Sequence, residues 1–223
     1  MPVLSTPKWS DFCLLVNALA HRCEPDPLAQ GVHAHAVGGL IHWGLIRRYG
    51  PKSRARFILL HKGPYGSVGA SEVPGYPDAA SWQMASTALR LEHELTHLAT
   101  KRLLGEMRLN LLDELIADCM GMVAALGQFD AQLFGRCLGL DPHGDPLAGG
   151  RWCTYVTELD DGDARRAIGL VMERALELQA FLQADPKLLR PDYSMARLQW
   201  LCQQRLEQGI NGWPASAPDN HGL

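Results

Sequence analysis

The chain has no Cys-x-x-Cys pair, no apolar run that could cross a bilayer, no basic excess and no internal repeat. Its six cysteines, Cys13, Cys23, Cys119, Cys137, Cys153 and Cys202, are scattered. That spacing argues against a disulfide-stapled secreted fold and a cysteine zinc site, and for buried thiols in a reducing compartment. The most apolar stretch, residues 37–46, is interrupted by His42 and falls short of the roughly 18 residues a membrane span needs. No membrane partner is therefore expected. A net charge of −3 leaves no electrostatic footprint for nucleic acid. Residues 12–20 follow Lys8 and loosely mimic a signal peptide, but Asp11 borders them and Asn17 lies inside, which suits a surface helix better. A cytoplasmic location is expected, with secretion as the alternative.

At 223 residues the chain can bury a full core without staples. No composition break divides it, so one domain over residues 1–210 is expected, with a flexible Pro-, Gly- and Asn-rich tail over 211–223. Hydrophobic periodicity and capping residues predict helices over 11–22, 30–49, 80–104, 110–126, 131–138, 164–183 and 193–208. The short apolar run 55–60 reads as a strand. The Gly- and Pro-dense segment 63–77 holds either a second short strand near 68–73 or a loop over a site. Val156 and its flanking threonines favour a strand over 151–159. Asp160-Asp161-Gly162-Asp163 lacks the alternating ligands of a calcium loop and reads as a helix cap. The fold class is α+β, mainly helical, with a small sheet.

Residues 93–97 read His-Glu-Leu-Thr-His within a helical stretch. Positions i and i+4 share a helix face, so His93 and His97 can reach one metal ion. Glu94 projects beside that pair, where it can act as general base on a metal-activated water. Two histidines leave a catalytic zinc one protein ligand short. Glu114 supplies the third. About 10 Å of helix separates His97 from the end of its helix, and about 6 Å separates Glu114 from the start of the next, at 1.5 Å per residue. A short connection between antiparallel helices brings Glu114 back to the level of His97. Asp118, one turn beyond Glu114 and in apolar company, is placed to accept the other ring N–H of His93 or His97.

His93-Glu94-x-x-His97 followed by Glu114-x-x-Ala117-Asp118 resembles the gluzincin branch of the zincin metallopeptidases over about 26 residues. The resemblance implies a minimal zincin-like core with a small sheet beside the His-Glu-x-x-His helix. It also implies an edge strand that binds extended substrate, for which residues 56–60 are the candidate. It further implies a Tyr, His or Arg that stabilises the oxyanion; His143 and Tyr155, with Tyr65 and Tyr76 in the earlier loop, are the candidates. The chain is short for a two-lobed peptidase, and no further motif names a subfamily.

The expected activity is zinc-dependent hydrolysis of an amide, with Zn2+ as cofactor and a peptide or small amide as substrate. A zincin-fold hydrolase of a non-peptide amide and a non-catalytic zinc-binding protein are the alternatives; Glu94 weighs against the second, since holding metal does not require it. A di-iron bundle would need a second Glu-x-x-His, and none is present. His33, His35, His42 and His61 read as cleft or surface histidines, or as a second metal site. The sequence gives no indication of oligomeric state.

Overall fold

The computed structural model describes residues 1–24, 27–28, 32–50, 55–105, 110–210 and 212–213. Most of the expected tail therefore lies outside the described residues. The chain is mainly helical, with one small sheet of three strands: β1 (Val3–Thr6), β2 (Ala34–Leu40) and β3 (Ala55–His61). The helices are α1 (Trp9–Leu19), α2 (Trp43–Tyr49), α3 (Ala79–Leu104), α4 (Leu111–Leu126), α5 (Ala131–Leu138), α6 (Asp161–Ala184) and α7 (Ser194–Leu201). No helix among the described residues is long and apolar enough to cross a membrane.

Helix α3 begins where the Asp78 side chain accepts from the Ser81 amide and ends at left-handed Gly105. Helix α4 begins where Asn110 accepts from the Asp113 amide, and α6 where Asp160 accepts from Asp163. These side chains satisfy amides that the first turn of a helix leaves without partners. The Asp160 contact is the cap expected of the acidic run.

Four expectations need correction. Residues 30–49 do not form one helix: they contain strand β2 and the short helix α2, separated by Ile41 and His42. Gly38 and Gly39 each disfavour helix by about 1 kcal/mol relative to alanine, and the His42 ring caps α2 by accepting from the Leu45 amide at 3.1 Å. Strand β3 is not an edge. It pairs parallel with β1 from Val3↔Ile58 to Thr6↔His61, and antiparallel with β2. Both its hydrogen-bonding sides are taken, so residues 56–60 offer no open edge to an extended peptide. Segment 151–159 is a 3-10 turn over Arg151–Tyr155 rather than a strand. The last helix stops at Leu201.

Helix α1 covers one face of the sheet through Phe12, Val16, Val37 and Leu59. Strands β2 and β3 also contact α3, so the sheet does lie beside the His-Glu-x-x-His helix. The buried Arg90 side chain clasps the strand exit to α3, donating to the carbonyls of His61, Gly63 and Pro64. Segment 63–77 is a loop with 3-10 turns at Tyr65–Ser67 and Ala70–Glu72, so the loop alternative holds. Gly66, at φ 56°, lets that loop lie on α5: a Cβ there would stand 2.5 Å from the Cys137 Cα. This contact seats Tyr65 in the interior.

The larger core joins α3 to α7 around Trp82, Leu89, Leu115, Met122, Phe134, Val171 and Trp200. Helices α3 and α4 are antiparallel, since Leu89 meets Gly121, His93 meets Asp118 and His97 meets Asp113. At Gly121 a Cβ would stand 2.8 Å from the Leu89 carbonyl oxygen. Alanine favours helix by about 1 kcal/mol over glycine, but overpacking costs about 1–3 kcal/mol. Gly121→Ala is expected to lower the melting temperature and loosen metal binding together; a variant as stable as wild type would contradict this close approach.

Candidate metal centre

His93 and His97 project from one face of α3 toward Glu114 on α4, and all three are buried, at 6, 5 and 2 % exposure. The two Nε2 atoms are 2.9 Å apart. Glu114 Oε1 lies 3.3 Å from His97 Nε2, and Oε2 lies 3.6 Å from His93 Nε2. Tetrahedral ligands about 2.0–2.1 Å from a zinc ion stand about 3.3 Å from one another, close to these separations. The three residues form a buried group that can hold a metal ion.

Each ring turns its other nitrogen to a carboxylate. His93 Nδ1 is 2.6 Å from Asp118 Oδ1, and His97 Nδ1 is 2.7 Å from Asp113 Oδ2. An ionised carboxylate only accepts, so each Nδ1 carries the proton and each neutral ring presents a bare lone pair at Nε2. Two such lone pairs 2.9 Å apart repel unless a cation lies against both. The donor set therefore fits a metal ion, with both ring orientations fixed from behind. Replacing the carboxylate behind a ligand commonly costs about 10–100-fold in metal affinity. Asp113→Asn is expected to show that loss in a chelator competition assay, and wild-type affinity would remove Asp113 from the centre.

Without metal, a proton serves the same purpose. Burial pulls the His97 pKa down, but hydrogen bonds and charge from Asp113 and Glu114 outweigh it and raise the value to about 10. Burial likewise opposes ionisation of Glu114, yet the charges of His93 and Arg151 and the His97 hydrogen bond hold its pKa far below the ordinary value. A His97 pKa raised on folding gives stability that is complete below pH 6.5, its ordinary value, and lost as pH rises through about 10. Thermal melts of the chelated protein are expected to fall across that window. A flat profile would contradict the coupling.

The 3-10 turn at Arg151–Tyr155 closes the other side. Arg151 Nη2 donates to Glu114 Oε2, and Nη1 donates to the Tyr65 hydroxyl at 3.2 Å. Burial opposes the Arg151 charge, but the surrounding Tyr65, Tyr155, Asp118 and Glu114 hold its pKa well above the ordinary guanidinium value. Tyr155 lies close enough to Arg151 and Glu114 to feel both charges, and burial above all pushes its phenol pKa up, so it stays neutral.

Of the four candidate oxyanion groups, two reach this network. Tyr155 lies beside Glu114. Tyr65 lies behind His93 instead: its hydroxyl donates to Asp118 Oδ1 and stands 2.9 Å from His93 Nδ1, on the side away from Nε2. Tyr76 packs edge-on against Trp82, ring centroids 5.2 Å apart. His143 is exposed in a turn, where its amide donates to Asp141. Glu94 is half-buried, and its charge interacts with that of Arg90 one turn earlier on α3. His33 and His61 stack on each other, with Nδ1 atoms 2.7 Å apart, and His35 meets His21 edge-on. No third ligand joins either pair among the described residues.

Sequence reasoning missed Asp113 and Arg151. Asp113 was accessible, because antiparallel helices that pair residue 93 with 118 bring residue 97 to about 113–114. Arg151 had no such signal, being 37 residues from the carboxylate it binds and in a segment with weak strand character.

No curated protein and no solved structure shows significant similarity to the chain. The profile of a family of unknown function, DUF7005, matches residues 1–55 and 51–210. The match covers nearly the whole chain, the His93–His97–Glu114 group included, and the chain belongs to that family.

Proposed function

We propose that the chain is a zinc-dependent hydrolase of amide bonds. The observation that carries this reading is the buried His93–His97–Glu114 group, with both Nδ1 atoms anchored on carboxylates; Glu94 follows His93 directly in the sequence. Two neutral imidazoles and one carboxylate suit zinc, and with three protein ligands a fourth position remains for water. Bound there, the metal supplies Lewis acidity toward water and a carbonyl oxygen.

The chain's own residues do the rest. Glu94 accepts the proton of the attacking water and returns it to the departing nitrogen. Asp113 and Asp118 hold the two imidazoles in the tautomer that keeps Nε2 free. Tyr155, neutral and beside Glu114, is the best placed of the candidate groups to donate to the developing oxyanion. A cytoplasmic location fits the six free cysteines.

Peptidase activity on a long extended chain is the less favoured form of this reading. Strand β3 has both edges occupied, and the three ligands are 6 % exposed or less. A short peptide or small amide suits this setting better. The test is incubation of zinc-loaded protein with peptides of graded length and small N-acyl amides in ¹⁸O-water. One heavy oxygen in the new carboxyl group, with no product from Glu94→Gln, supports the proposal. Bound zinc with no cleavage of any substrate, or equal cleavage by both proteins, contradicts it.

A further inference from the structure

We infer that Arg151 is a positioning residue: it balances the charge of the centre for a divalent ion and holds one oxygen of Glu114, so that this ligand presents only the other. The inference rests on the metal-centre reading above and adds to it a residue outside the ligand set.

Glu114, Asp113 and Asp118 are 3 % exposed or less and meet around two histidines whose Nε2 atoms are bare. A second buried guanidinium, Arg90, is offset by Glu94 on the same helix, so three carboxylates against Arg151 leave two negative charges, which a divalent cation cancels. Tyr65 and Tyr155 add no charge, since burial raises both phenols. In a buried setting a residual charge is costly, so the match favours a divalent ion over a monovalent one.

Geometry adds the second part. Both Glu114 oxygens face the imidazoles, at 3.3 and 3.6 Å from the two Nε2 atoms. Such a carboxylate could close on an ion with both oxygens and fill the position a water needs. Arg151 prevents this by donating to Oε2. The guanidinium is itself fixed: Nη1 donates to Tyr65, the charge lies 5.4 Å from the centre of the Tyr65 ring, and Asp118 Oδ2 is 3.9 Å from Nη1. That Asp118 oxygen has no hydrogen-bond partner among the described residues, and the guanidinium supplies a compensating charge 3.9 Å from it. One side chain therefore spans a ligand, Glu114, and the carboxylate behind another ligand, Asp118.

Cobalt(II) is the probe, because its visible bands are intense when four-coordinate and weaken as coordination number rises. Wild type, Arg151→Gln and Arg151→Lys are titrated with cobalt and followed by absorption. Arg151→Gln is expected to bind cobalt at least as tightly as wild type, having one more net negative charge, but with bands several-fold weaker. Arg151→Lys, which restores the charge and one donor, is expected to recover at least half of the wild-type intensity. Wild-type intensity in a folded Arg151→Gln, or a Lys variant that matches the Gln variant, overturns the inference. Should Arg151→Gln not fold, the Lys variant is read against wild type alone. Retained affinity and band shape support the inference; a loss of about tenfold, equivalent to about 1.4 kcal/mol, overturns it. A wild type that takes up neither cobalt nor zinc overturns the metal-centre reading itself, and that result differs from a failure of Arg151 alone.

Discussion

Glu94→Gln is expected to keep its metal and lose its turnover. The substitution preserves size and hydrogen-bonding reach, and residue 94 is not part of the His93–His97–Glu114 group. Metal affinity should therefore stay within about twofold, well under 1 kcal/mol. A neutral amide cannot accept the proton of the attacking water or return it to the leaving nitrogen. General acid–base groups contribute about 10²–10⁴-fold, and a loss of that size in kcat with little change in KM is the expected result. The paired measurement is metal content and single-substrate kinetics on the same preparation. Lost metal would make Glu94 a structural or ligating residue. Unchanged kcat would move the base elsewhere.

Glu114→Ala should act in the opposite sense, on binding first. It removes the third ligand and leaves Arg151 without its carboxylate partner and His97 without one of the groups that raise its pKa. The metal affinity should fall by more than the roughly 10–100-fold expected for losing a carboxylate behind a histidine. Breaking a buried charge pair from one side costs about 3–5 kcal/mol. Arg151 keeps Tyr65 and faces Asp118 at 3.9 Å, so the cost should lie toward the low end. Glu114→Gln separates the two effects: it keeps the shape and much of the packing, so its melting temperature should fall less while its metal affinity still drops. Chelator competition and thermal melts on both variants test this. Unchanged affinity in Glu114→Ala would remove it from the ligand set.

The centre's principal residues were legible because its chemistry is local in sequence. His93 and His97 are one helical turn apart, and Glu114 and Asp118 one turn apart on the next helix. Asn110 and the acidic run from 160 marked where two helices start, and Gly105 where one stops. The sheet was less legible. Strand β1 is only four residues long and is a strand because β3 pairs with it. Residues 34–40 alternate weakly, and their small side chains gave no clear period of either kind. With that strand unread, the edge role implied by the gluzincin resemblance went to residues 56–60, and it fell because β3 is the central strand. Arg151 was hidden for a different reason. Its partners come from the loop at residue 65 and from α4, so only tertiary packing brings the charges together.

The most direct test of the central claim is the metal content of purified protein compared with His97→Ala. The account predicts close to one zinc per wild-type chain, retained through dialysis and lost in the variant. Absence of metal from the wild type after incubation with excess zinc, or equal zinc in both proteins, would contradict it.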